Sequence, residues 1–147
     1  SDYIGCVDDT CLATGELLAV KDTPFDFNKR KRIGQDLEAD HIQLKNAFGY
    51  DHSFVLNGTE NQLTLEEPVS GRRLIISTTA PVIQVYTGNF LKDGCIGKAG
   101  RVYENREGVA LETQLMPNAI NTEENPSTIL RKGDKFESNT KYVFEIM

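Results

Sequence analysis

The sequence predicts an all-β protein, a sandwich or barrel, and three observations carry that prediction. Apolar residues recur with a period of two in short runs rich in β-branched and aromatic residues. Those runs are separated at close spacing by Gly, Pro and Asn, and little of the chain keeps the 3.6-residue period of an amphipathic helix. Strands spaced this way form a sandwich or barrel, and nothing suggests the alternating helices of a parallel α/β sheet.

Along the chain, Thr23 to Gln35 reads as irregular, and Gly49 to Phe54 as a turn leading into a strand. Asn57-Gly58-Thr59 matches a glycosylation sequon, but Asn-Gly between strand-like runs is also a hairpin signal, and the turn reading is preferred. Gln62 to Glu66 alternates, Glu67 to Arg72 carries Pro68 and Gly71, and Arg73 to Thr78 follows, which reads as a hairpin. Val82 to Thr87, Gly108 to Gln114 and Lys141 to Ile146 are three further strands, with an irregular stretch from Met116 to Pro126.

A chain of 147 residues buries one sizeable core, so one domain spanning 1–147 is expected. The net charge of -6 argues against nucleic acid and anionic membranes as partners, because both are held by clustered Lys and Arg. No apolar run approaches the ~20 residues of a bilayer span. Cys6, Cys11 and Cys95 form no CxxC pair, so neither a disulfide framework nor a zinc site is indicated, and a reducing, cytoplasmic compartment is expected. With His41 and His52 as the two histidines, no His-cluster metal site is expected. The basic run Lys29 to Arg32 reads as a solvated loop, and Gly94, Gly97 and Gly100 lack the Lys-Ser/Thr ending of a phosphate loop. The first residue is Ser, and the chain is expected to be a piece of something longer.

Three positions hold polar groups that stand out from the strand pattern. Alternation puts Gln84 on one face with Val82 and Tyr86, and Glu112 on one face with Ala110 and Gln114. A face offering Gln, Glu and Gln beside an aromatic ring suits a sugar, whose CH face needs apolar contact and whose hydroxyls need paired donors and acceptors. From periodicity alone a solvated outer face is the preferred reading of Glu112 and an open alternative for Gln84, since alternation does not say which face is wet. The third group is Asp51 in Tyr50-Asp51-His52. Neighbours on a strand point to opposite faces, so Asp51 and His52 are not a ready dyad, and Asp51 also reads as a local turn cap. His41 reads as a solvated side chain.

Read together, these segments resemble one family. Thr14-Gly15-Glu16, Asp22-Thr23-Pro24-Phe25-Asp26-Phe27, Gly49-Tyr50-Asp51-His52-Ser53-Phe54, Gln84-Val85-Tyr86-Thr87-Gly88-Asn89-Phe90 and Leu111-Glu112-Thr113-Gln114 are similar, in order, to successive motifs of the aldose 1-epimerases (galactose mutarotases). The resemblance covers nearly the whole chain and corresponds to the C-terminal half of that family. It implies part of a galactose mutarotase-like β-supersandwich of mostly antiparallel strands and interconversion of the α and β anomers of a hexose such as galactose or glucose, with no metal or organic cofactor. It implies Glu112 as the general base, with Asp51 and Gln84 binding the sugar. The family's general-acid His, and an Arg and a second His that hold the sugar, belong to an N-terminal segment without a counterpart here, so a companion N-terminal segment of the same protein is the expected partner. Asn118 stands where many members have Asp. A different outcome, a non-catalytic carbohydrate-binding or interaction module derived from this fold, stays open.

Overall fold

β-branched and aromatic runs become strands, and their pairing decides which face of each is buried. The computed structural model describes residues 1–92, 96–122 and 128–147. Its strands are β1 (Tyr3–Val7), β2 (Ala13–Ala19), β3 (Asp51–Val55), β4 (Leu63–Glu67), β5 (Arg72–Thr78), β6 (Val82–Tyr86), β7 (Ala110–Gln114) and β8 (Thr140–Ile146). A five-stranded sheet has the order β2-β1-β3-β6-β7 and a three-stranded sheet the order β4-β5-β8, all paired antiparallel. The all-β expectation holds. One short helix, α1 (Ile42–Asn46), and 3-10 turns at Ile33–Gln35 and Ala119–Asn121 complete the regular structure among the described residues.

The β4–β5 hairpin forms where Pro68 and Gly71 predict it. Both Glu67 carboxylate oxygens accept backbone N–H groups of the turn, from Val69 at 2.9 Å and Ser70 at 2.7 Å, and Gly71 takes the left-handed conformation at φ 71°. At Asn57-Gly58 the chain also turns, with Gly58 at φ 71°, but no hairpin results. The turn carries the chain from β3 in one sheet to β4 in the other, a longer connection than a two-residue hairpin.

The core lies between the sheets. Ile4, Phe54 and Ile83 from the larger sheet meet Ile76 from the smaller, and Phe25, Leu44 and Tyr50 fill the flank. Phe25 stands edge-on to Tyr50 at 5.4 Å and to His52 at 4.7 Å, contacts that favour the ring quadrupoles. The irregular stretch from Thr23 to Gln35 is therefore pinned by its aromatics. In its basic run Lys29, Arg30 and Arg32 are exposed, as expected of a solvated loop, although Arg30 pairs with Glu66 at 2.8 Å; Lys31 is held, pairing with Asp36 at 2.7 Å and covering the Phe27 ring.

Cys6 and Cys11 are free thiols, and burial pushes both up from their ordinary pKa. No helix among the described residues is long and apolar enough to cross a membrane, and no cluster of three His, Cys, Asp or Glu there is arranged to hold a metal. Cys95, Gly94 and the stretch 123–127 that includes Pro126 lie outside the described residues.

Candidate functional site

Alternation gives each strand of the larger sheet one face toward the core and one away from it, and register assembles the outer faces. Ser53 pairs with Gln84, and Gln84 with Glu112, which makes a polar row across β3, β6 and β7. Two residues along, Asp51 pairs with Tyr86 and Tyr86 with Ala110, giving a second row on the same face. The three residues singled out from the sequence thus come together on one surface.

Their hydrogen bonds run in one direction. Ser53 Oγ donates to Gln84 Oε1 at 2.5 Å, and Gln84 Nε2 donates to Asp51 Oδ1 at 2.7 Å. Asp51 therefore acts within a side-chain chain and not as the local turn cap that its position also allowed. Its second oxygen, the second N–H of Gln84 and the carboxylate of Glu112 have no side-chain partner among the described residues. Glu112 is exposed, and its carboxylate makes no hydrogen bond to another described residue.

Asp51 is held in place by a buried polar hub just upstream. Asn89 Nδ2 donates to the carbonyls of Ala47 at 2.7 Å and Tyr50 at 3.0 Å, while the Arg106 guanidinium donates to Asn89 Oδ1 and, at 2.6 Å, to the Phe48 carbonyl. Gly49 makes this possible. Its φ of 137° suits glycine, and a Cβ there would collide with Arg106 Nη1 and stand 2.6 Å from Asn89 Oδ1.

Neither histidine joins this face. His52, fully buried, turns to the core: its Nδ1 accepts the Asp51 N–H at 3.1 Å, which leaves the proton on Nε2 for Gln43 Oε1 at 3.2 Å. Burial lowers its pKa to about 4, so the ring is neutral at pH 7. His41, expected to be solvated, is half-buried instead, because its Nδ1 accepts the Gln43 N–H at 3.2 Å and caps α1 while its ring packs edge-on to Phe25.

After β7 the chain crosses the outer face as a strap. Met116 Sδ lies over β1, 3.2 Å from where a Gly5 Cβ would be, and Asn118 Nδ2 donates to the Ala13 carbonyl on β2 at 3.2 Å. The strap borders the polar rows. An apolar cavity of about 150 Å³, lined by Phe54, Leu63, Leu65, Ile83 and Leu111 among others, opens on the opposite face between the sheets. Its lining is mostly apolar, with Ser1, Gln62 and Thr64 among the polar exceptions, and Asp51, Gln84 and Glu112 are not part of it, so we read it as a packing gap.

A family model described as aldose 1-epimerase matches residues 1–143. The chain belongs to the aldose 1-epimerase family. It is 38% identical over 143 residues to the galactose mutarotase of Sus scrofa and 37% to that of Homo sapiens, in each case over 95% of this chain and 40% of the relative. To the aldose 1-epimerase of Haemophilus influenzae it is 34% identical over 150 residues, covering 99% of this chain and 43% of the relative. Among solved structures, the GalM/aldose epimerase homologue from C. elegans superposes with a TM-score of 0.86 at 32% identity, over 99% of this chain and 44% of that one. The chain thus spans about two-fifths of the length of the curated relatives it matches. The antiparallel β architecture of this aldose 1-epimerase chain matches that of its structural neighbours.

In this family member the sequence pattern marks the strap only as an irregular stretch and gives Ser53 no role. The signal for Ser53 was available: it stands two residues after Asp51, and once β3 is taken to begin at Asp51 the two must share a face.

Proposed function

We propose that residues 1–147 are the C-terminal part of an aldose 1-epimerase domain and carry the base side of its hexose site. The observation that supports this best is the single row in which Glu112 flanks Gln84, itself bonded to Asp51. In this reading the Glu112 carboxylate takes the proton from the anomeric hydroxyl while an acid protonates the ring oxygen. The C1–O5 bond breaks, C1 becomes an aldehyde, rotation about C1–C2 presents its other face, and reversal of the proton transfers closes the ring. Asp51 accepts from sugar hydroxyls, Gln84 donates to them, and Tyr86 offers an apolar edge.

The acid comes from a companion N-terminal segment, since His41 and His52 are both committed elsewhere. A further observation favours a companion. On β8, Phe144 and Ile146 are each 77% exposed although they share a face with the core residue Ile76 of the paired β5. That is an apolar strip with nothing over it among the described residues. The same lack of an imidazole on the site face favours a second reading for the chain on its own, a carbohydrate-binding module without catalysis.

Polarimetry on freshly dissolved α-galactose tests both. Near-background mutarotation with this chain alone, restored when the companion segment is added, is the expected result. Full activity from the isolated 147-residue chain would overturn the split of acid and base between segments.

A further inference from the structure

We propose that the Ser53 hydroxyl is a positioning group that holds the Gln84 amide for substrate. The inference rests on reading the outer face as the sugar site, and it starts from a cost. Ser53 is 4% exposed, and a buried hydroxyl without a partner is unfavourable. Its neighbour across β1 is Gly5, whose missing side chain leaves that flank to Met116: a Cβ on Gly5 would stand 3.2 Å from Met116 Sδ and 3.8 Å from Ser53 Cβ. Among the described residues, the one side-chain hydrogen bond Ser53 makes goes to Gln84 Oε1 at 2.5 Å. Packing alone would be served by alanine.

The chemistry of the pair gives the hydroxyl its task. Gln84 has three rotatable side-chain bonds, and its amide is useful to a sugar only in one orientation, with Nε2 shared between Asp51 and the ligand. Asp51, an acceptor, selects that orientation from one end, and Ser53, donating to Oε1, secures the other. With both ends held, the second N–H of Gln84 is fixed in direction before substrate arrives, and the ordering cost of a long side chain is met on folding and not on binding. Ser53 does not touch the reacting atoms, so its contribution is confined to substrate affinity.

The test is a double-mutant cycle of mutarotation kinetics in the complete protein, using Ser53→Ala, Gln84→Ala and both together. Loss of one hydrogen bond predicts a rise in KM of about three- to tenfold for Ser53→Ala with kcat nearly unchanged. In the Gln84→Ala background the same substitution should change KM by less than about twofold, because the group it positions is gone. A general loss of stability would register in both backgrounds. If Gln84→Ala raises KM but Ser53→Ala has an equal effect with and without Gln84, Ser53 is structural and the proposal fails while the site reading stands. If Gln84→Ala leaves KM at the wild-type value, the site reading fails and takes the proposal with it.

Discussion

Replacing Glu112 with Gln separates chemistry from folding more cleanly than any other change on this face. The side chain is exposed and bonded to no other described residue, so its removal breaks nothing that holds the sheet together. A surface substitution of this kind stays within about 0.5 kcal/mol, or roughly 2 °C in Tm for a chain of this size. Glutamine keeps the shape and a hydrogen-bonding end for the sugar but has no basicity. If Glu112 is the base, the lost proton transfer lowers mutarotation in the complete protein by about 100-fold or more, equivalent to about 2.7 kcal/mol on the barrier. Polarimetry on α-galactose, run beside a thermal melt and a sugar titration, reads all three quantities. Wild-type rates in Glu112→Gln would refute the assignment. A large drop in Tm would show that the carboxylate has a structural partner the present geometry lacks.

Asp51→Asn should weaken hexose binding about tenfold by isothermal titration, since hydrogen bonds to a carboxylate are roughly twice as strong as neutral ones, and unchanged affinity would move the pocket elsewhere. His52 should make stability depend on pH. Its folded-state pKa of about 4 lies below the ordinary 6.5, so its contribution is fully present above pH 6.5 and is lost as the pH falls toward 4. The loss is on the order of 3 kcal/mol. Urea midpoints between pH 7 and 4 should therefore fall more steeply in the wild type than in His52→Asn, and parallel slopes would show that the ring is not held neutral.

Residue order was enough for the all-β class, most of the strands after residue 50, the face partners of Gln84 and Glu112, and the membership that the ordered motifs announced. Period-two alternation is a local property, and it survives folding unchanged. It correctly turned His52 away from Asp51, because adjacent strand residues cannot share a face. What it could not supply was which face is wet and which residues meet across strands. Those depend on register and on sheet order, which are set by contacts between residues far apart in the chain. Asn57-Gly58 illustrates the limit: the local turn was legible, but whether it closed a hairpin or crossed between sheets depended on where β4 found a partner. The β1–β2 pair went unread because Gly5, Gly15 and the polar residues between them interrupt any apolar rhythm; β1 is a strand through its pairing with β3, and β2 through its pairing with β1. Ser53 is the same lesson at the site. Its residue type is unremarked in the sequence, and only the alignment of β3 with β6, fixed by tertiary pairing, sets its hydroxyl against Gln84.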